Sequence, residues 1–147
     1  MSGLEVREIR ALPDGIVALE AAAISEGFRF LTRLLLEWEN GSNRFDQPGE
    51  CLLGVWREGE LIAIGGLSRD PHACGQSGRL RRFYVAPAAR RQGAGETLVQ
   101  ALLARAAPHF QTVRLLTDTQ AGAAFYVYCG FRCVQSDSAS HEISGWS

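Results

Sequence analysis

The 147-residue chain is predicted to fold as an α/β (α+β) protein with about seven strands and about four helices. Three observations carry that expectation. Apolar runs of strand length alternate with longer stretches of helical period. The triplet Glu58-Gly59-Glu60 joins two of the runs as a hairpin signal. A further run, ending in Phe83-Tyr84-Val85, passes through a proline turn into a basic glycine loop and then a helix.

Taken in order, Glu5 to Leu12 alternates as a first strand, stopped by Pro13. Asp14 is a helix-capping type and Gly27 a helix stop, which predicts a helix over 15–26. A second helix is predicted over 30–39, with Phe30, Leu31, Leu34, Leu35 and Trp38 on one face and Arg29, Arg33 and Glu37 on the other. Asn40-Gly41-Ser42-Asn43 ends it. Strands follow over 51–57 and 61–67, and Ser68 to Gly78 reads as a loop of turn residues. Leu80 to Val85 is the strand before the glycine loop. Leu98, Val99, Leu102, Leu103 and Ala106 give the next helix its apolar face, and Pro108 marks its end. A strand over 112–117, a helix over 121–129 and strands over 131–135 and 140–144 complete the chain. No linker or repeat divides it, so residues 1–147 are read as a single domain.

Composition narrows the functional classes. No apolar run approaches the ~20 residues of a membrane span, and the N-terminus carries no leader pattern. The four cysteines (51, 74, 129 and 133) form no CxxC pair or zinc spacing, which predicts reduced thiols, a cytoplasmic protein and no metal site. Net charge is −1, with 11 acids against 6 arginines in residues 1–60 and 5 against 9 beyond. Residues 79–91 hold five arginines and no acid. Such a strip is a solvated surface or the field around a polyanionic ligand; the slightly acidic total disfavours a nucleic-acid partner.

The glycine loop sharpens this. A strand, a tight loop and a helix start converge at Arg90-Arg91-Gln92-Gly93-Ala94-Gly95, where backbone N–H groups lie unpaired and the helix dipole favours anions. Phosphate is the expected ligand group. No third glycine stands at the dinucleotide-fold spacing after Gly95. The chain has no lysine, which excludes both the nucleotide-hydrolase loop and Schiff-base chemistry.

Arg90-x-x-Gly93-x-Gly95 after a Tyr-Val-x-Pro strand end resembles the acetyl-CoA pyrophosphate loop of the GNAT N-acetyltransferase superfamily. Phe125-Tyr126-Val127-Tyr128-Cys129-Gly130-Phe131 resembles that family's second signature, a helix with Phe-Tyr closing on Gly-Phe. The resemblance covers roughly residues 78 to 135 and implies a twisted mixed sheet flanked by helices. It implies that the strand before the loop splays from its neighbour to admit the pantetheine arm of acetyl-CoA. Backbone of Phe83, Tyr84 and Val85 would then meet the pantetheine, and Arg90, Arg91, Gln92, Gly93, Ala94, Gly95 and Glu96 the pyrophosphate. Thr119 stands where relatives carry a cofactor-contacting asparagine. Tyr126 stands where relatives carry the acid that protonates the leaving thiolate, with Tyr84 a weaker substitute.

The implied reaction moves an acetyl group to a small-molecule or peptide primary amine by direct attack in a ternary complex. A lysine-like amine of pKa about 10.4 is neutral in about one molecule in a thousand at pH 7.4, so removing its proton is worth about 4 kcal/mol. Many relatives supply a glutamate on the strand before the loop or the next one. This chain has Arg79, Arg81, Arg82 and Arg114 there, and the base is left open among water, Glu50, Asp46, Asp70 and His141. That gap keeps a second reading in play, a non-catalytic acyl-CoA-binding regulatory module. The acidic first 60 residues favour a cationic acceptor. Residues 40–50 stand where relatives build the acceptor lip, or equally are a loop whose polar residues satisfy its own backbone, and apolar strand edges leave room for a homodimer.

Overall fold

The computed structural model describes residues 3–72 and 76–146. Its elements run β1 (Leu4–Glu8), α1 (Ile16–Ser25), α2 (Phe30–Asn40), β2 (Cys51–Arg57), β3 (Glu60–Arg69), β4 (Ser77–Val85), a short 3₁₀ turn (Pro87–Ala89), α3 (Ala94–Ala106), β5 (Thr112–Leu115), α4 (Gln120–Tyr128), β6 (Arg132–Cys133) and β7 (His141–Ser144). The strands form one seven-stranded sheet in the order β1-β2-β3-β4-β5-β7-β6. β4 and β5 are parallel, and the other neighbours are antiparallel.

Two apolar clusters cover the sheet. Leu98, Val99, Leu102 and Leu103 of α3 and Tyr126 of α4 pack with Leu53, Val55, Leu80, Val113 and Leu115. Ile16, Leu19 and Ala23 of α1 and Leu31 and Leu34 of α2 pack with Leu52, Ile64 and Tyr84. At β2–β3, Glu58 and Gly59 both take positive φ (52° and 81°), the two-residue hairpin pattern that matches strand twist.

Boundaries move where tertiary contacts outweigh local signals. β4 begins at Ser77, inside the expected loop, because Gly78 lies under Phe110: a Cβ there would sit 2.8 Å from Phe110 Cδ2. α1 starts without the Asp14 cap; Gly15 occupies the capping position in helical geometry and packs on Leu61. β1 ends at Glu8, although Ile9 N–H still donates to Leu52 O at 2.8 Å. Cys74 lies outside the described residues.

One irregularity shapes the centre of the sheet. The β3–β4 ladder steps from Ile64↔Tyr84 to Gly66↔Arg81, so one residue of β3, Gly65, faces two of β4, Arg82 and Phe83. Arg82 is the extra residue, at φ 57°. A side chain in that region costs about 1 kcal/mol or more and re-aims its neighbours.

Candidate active site

The β4–β5 ladder consists of three pairs, Ser77↔Thr112, Gly78↔Val113 and Arg79↔Arg114. From Leu80 to Val85 the strand has no ladder partner on β5, and the two strands part. At the far end of β4 the chain turns through Pro87–Ala89 into α3. Gly93 caps that helix at φ 89°, with its carbonyl accepting Thr97 N–H at 2.9 Å. The N–H groups of Ala94, Gly95 and Glu96 open the helix with no carbonyl one turn earlier to receive them. Arg91, exposed, also takes a left-handed φ of 63°. A parted strand pair therefore leads to a cluster of outward N–H donors with a positive dipole end.

The two glycines act differently. A Cβ on Gly93 would meet nothing within 4 Å, so only its dihedral demands glycine. A Cβ on Gly95 would lie 3.0 Å from Phe125 Cζ and 3.4 Å from Val85 Cγ2, so this glycine lets α3, α4 and β4 close together.

Side chains expected around the loop are distributed unevenly. Arg90 points back from the turn: its Nη2 and Nη1 donate to the two oxygens of Glu26 at 2.6 and 2.9 Å, and its Nε to Val85 O at 3.1 Å. Its guanidinium lies 5.5 Å from the centre of the Tyr84 ring. Gln92 accepts from Arg57 and donates to Ala88 O at 3.1 Å. Glu96 lies near the Tyr128 hydroxyl of α4, and its carboxylate raises the pKa of that phenol. Thr119 caps α4, its Oγ1 accepting Gly122 N–H at 3.0 Å.

The two candidate acids also separate. Tyr84 O–H donates to Glu26 Oε1 at 2.5 Å on the α1–α2 side of the sheet, and burial together with that carboxylate raises its pKa. This hydroxyl is already engaged. Tyr126 is buried on the other face, its ring 5.8 Å from Phe83 of β4, 5.2 Å from Phe125 and 5.6 Å from Phe131. Burial raises its pKa, so the hydroxyl keeps its proton across the neutral range. Cys129 beside it is pushed up to about 11, chiefly by burial, which leaves little thiolate for covalent relay.

None of the four candidate bases takes a simple role. Asp70 is fully buried, 3.1 Å from Arg114 Nη1 and 3.8 Å from Arg79 Nη1. Glu50 accepts N–H groups of Gln47 and Arg69 at 3.4 and 3.1 Å. Asp46 is exposed in its loop. His141 is buried, its Nδ1 2.8 Å from Ser140 Oγ and its Nε2 3.4 Å from Cys133 Sγ. Sequence reasoning missed Glu26 and Glu37, which sit at a helix end and on a helix face. Glu37 accepts from Arg82 Nη2 at 2.9 Å. Glu26 is held below the usual carboxylate range, first by Arg90 and then by Tyr84. No local signal distinguishes either from a solvated surface glutamate.

The acetyltransferase (GNAT) family model matches residues 16–131. The chain belongs to the GNAT acetyltransferase family. A provisionally assigned acetyltransferase from Exiguobacterium sp. 255-15 shares 23% identity, with 96% of this chain and 93% of that one covered and a TM-score of 0.86. An acetyltransferase from Streptococcus agalactiae 2603 gives 16% identity, 97% of each chain and a TM-score of 0.73. PaiA N-acetyltransferase from Thermoplasma acidophilum, solved in complex with coenzyme A, gives 19%, 96% and 98%, and 0.68. At these identities the likeness concerns the fold. A search of curated protein sequences found no match. Among the described residues no helix is long and apolar enough to cross a membrane, and no cluster of three metal-ligating side chains occurs.

Proposed function

We propose that this chain transfers an acetyl group from acetyl-CoA to a primary amine, by direct attack in a ternary complex. The observation that carries the reading is the β4 arm, unpaired on its β5 side, running straight into the open N–H donors of α3. In this reading the backbone of Phe83, Tyr84 and Val85 pairs with the pantetheine amides. The N–H groups from Arg91 to Glu96 hold the pyrophosphate, with Arg91 adding charge. Arg90 supports the loop through Glu26 instead of touching phosphate.

The amine nitrogen attacks the thioester carbonyl carbon; a C–N bond forms and the C–S bond breaks. Tyr126 gives its proton to the departing thiolate and recovers one from the amine by way of solvent. The carboxylates nearest the arms, Asp70, Glu37 and Glu26, are each engaged by arginine. The attacking amine therefore enters neutral or sheds its proton to water. Residues 1–147 act as one catalytic unit in the cytoplasm.

Thiol release from acetyl-CoA across a panel of amines tests the reading; amine-dependent release supports it. The same arginine-bound carboxylates favour a second reading, an acyl-CoA-binding regulatory module without a base. Tight acetyl-CoA binding with no release for any amine would select it.

A further inference from the structure

The arginines of β4 do not form a solvated strip. Leu80 and Phe83 pack toward α3, whereas Tyr84 packs toward α1 and α2. Arg79 and Arg82 turn to that second side, reaching Asp70 and Glu37. Arg81 alternates with Leu80 and lies next to the extra residue at 82, so three arginines of β4 share one face. Arg114 of β5, paired in register with Arg79, adds a fourth by reaching Asp70 as well.

These cations are poorly matched. Asp70 serves two of them and Glu37 one. Glu50, the remaining acid close enough to act on Arg81, is bonded to backbone N–H groups. Arg81 makes no hydrogen bond or ion pair among the described residues, and burial holds its guanidinium below the usual value, with Arg82 adding repulsion. Two donors inside the row, Arg79 Nη1 and Arg82 Nε, are buried without a hydrogen-bond partner among the described residues, and the Arg82 side chain is 7% exposed. Buried guanidinium donors left open are costly, at roughly 1–3 kcal/mol each, unless an acceptor arrives.

Their place in the fold says which acceptor. Arg79 and Arg114 are the last pair before the strands part, and Arg81 and Arg82 begin the free arm. The phosphate end of the site lies beyond Val85, about 20 Å along β4 from Arg79 and about 10 Å from Arg82 at ~3.3 Å per residue. The row therefore faces the molecule that meets the acyl group, not the coenzyme's phosphates. We infer that the acceptor amine carries an anionic group, a carboxylate or a phosphate, which Arg79, Arg81, Arg82 and Arg114 bind from the α1–α2 side. This replaces the cationic acceptor expected from the acidic first 60 residues. Four of those 11 acids are paired within the fold: Glu5 with Arg7, Glu8 with Arg10 and Arg105, Glu26 with Arg90, and Glu37 with Arg82. The inference rests on the acyltransferase reading for its role in the reaction.

The test uses matched acceptors of similar amine basicity: an ω-amino acid against the alkylamine of equal length, and an aminoalkyl phosphate against the amino alcohol. The expected result is a kcat/KM at least about tenfold higher for one anionic partner; which pair responds tells carboxylate from phosphate. Arg81→Gln, at a half-buried position that keeps the fold, should raise KM for that acceptor about tenfold and pull the pair's ratio toward one. Equal or better turnover of the uncharged amines, unaltered by Arg81→Gln, would overturn the proposal and leave the enzyme reading standing. A second readout is independent of turnover. With coenzyme A saturating, inorganic phosphate or acetate is titrated against the arginine Nε–H resonances. Shifts at Arg81 and Arg82 support the anion site even if no amine is acetylated, and their absence overturns it.

Discussion

Arg90 and Glu26, 64 residues apart in sequence, are joined by two hydrogen bonds that tie the glycine loop to the end of α1. Tyr84 closes the arrangement from below by donating to the same carboxylate. Loop position is thus set from the α1–α2 side of the sheet, not by the loop alone.

Replacing Glu26 with Gln should therefore weaken acetyl-CoA binding several-fold without removing any group from the site. Arg90 is 42% exposed, so screening limits the stability loss to about 1 kcal/mol or less. Glu26 has a depressed folded-state pKa, so its contribution is complete above the unfolded value of about 4.3 and disappears as pH falls through the folded one. Urea midpoints of the wild type and variant should differ at pH 7 and draw together as the pH falls below about 4. A constant gap across that range would remove the ion pair as the cause.

Tyr126→Phe should keep the fold and acetyl-CoA affinity while lowering kcat by about 100-fold. Because its pKa is raised, ionisation of Tyr126 should give no falling limb below about pH 10 in the wild-type rate profile. Turnover equal to wild type would take the acid role away from this residue and leave it as a packing tyrosine.

Gly93→Ala and Gly95→Ala should fail for different reasons. The first strains a left-handed turn with free space around it, at about 1–2 kcal/mol. The second pushes into Phe125. Phe125→Leu should offset part of the Gly95→Ala loss and none of the Gly93→Ala loss. Urea unfolding of the two double-mutant cycles checks this, and equal coupling in both would contradict the packing account.

Asp70→Asn leaves Arg79 and Arg114 without their shared carboxylate at a buried point. The expected cost is about 3–5 kcal/mol, large for a nearly isosteric change. Being shielded from solvent, the loss should persist at high salt. A change below about 1 kcal/mol would mean that the arginines relax outward.

Much of this was readable in the chain and some was not. The hairpin at Glu58-Gly59, the faces of α2 and α3 and the glycine turn all follow from local dihedral needs and periodicity. The start of β4 did not, because Gly78 looks like a turn residue until Phe110 is placed over it. By sequence alone the arginine run is equally a surface strip or a cofactor field. Its true placement depends on the extra residue at Arg82, which no spacing rule announces, since arginine is an improbable choice for a positive φ. Arg90 illustrates a different limit: sequence placed it correctly at the loop, but its partner comes from a helix end 64 residues earlier.

The extra residue in β4 has a consequence for how this chain can be altered. Arg82 acts as a one-step phase shift: upstream of it odd-numbered side chains face α1 and α2, and downstream even-numbered ones do. Deleting it would restore plain alternation, with Leu80 and Phe83 still toward α3 and Arg81 and Tyr84 still toward α1 and α2. One residue inserted after Arg82 would instead exchange the places of Phe83 and Tyr84. The strand at this point can lose a residue without changing its faces, but it cannot gain one.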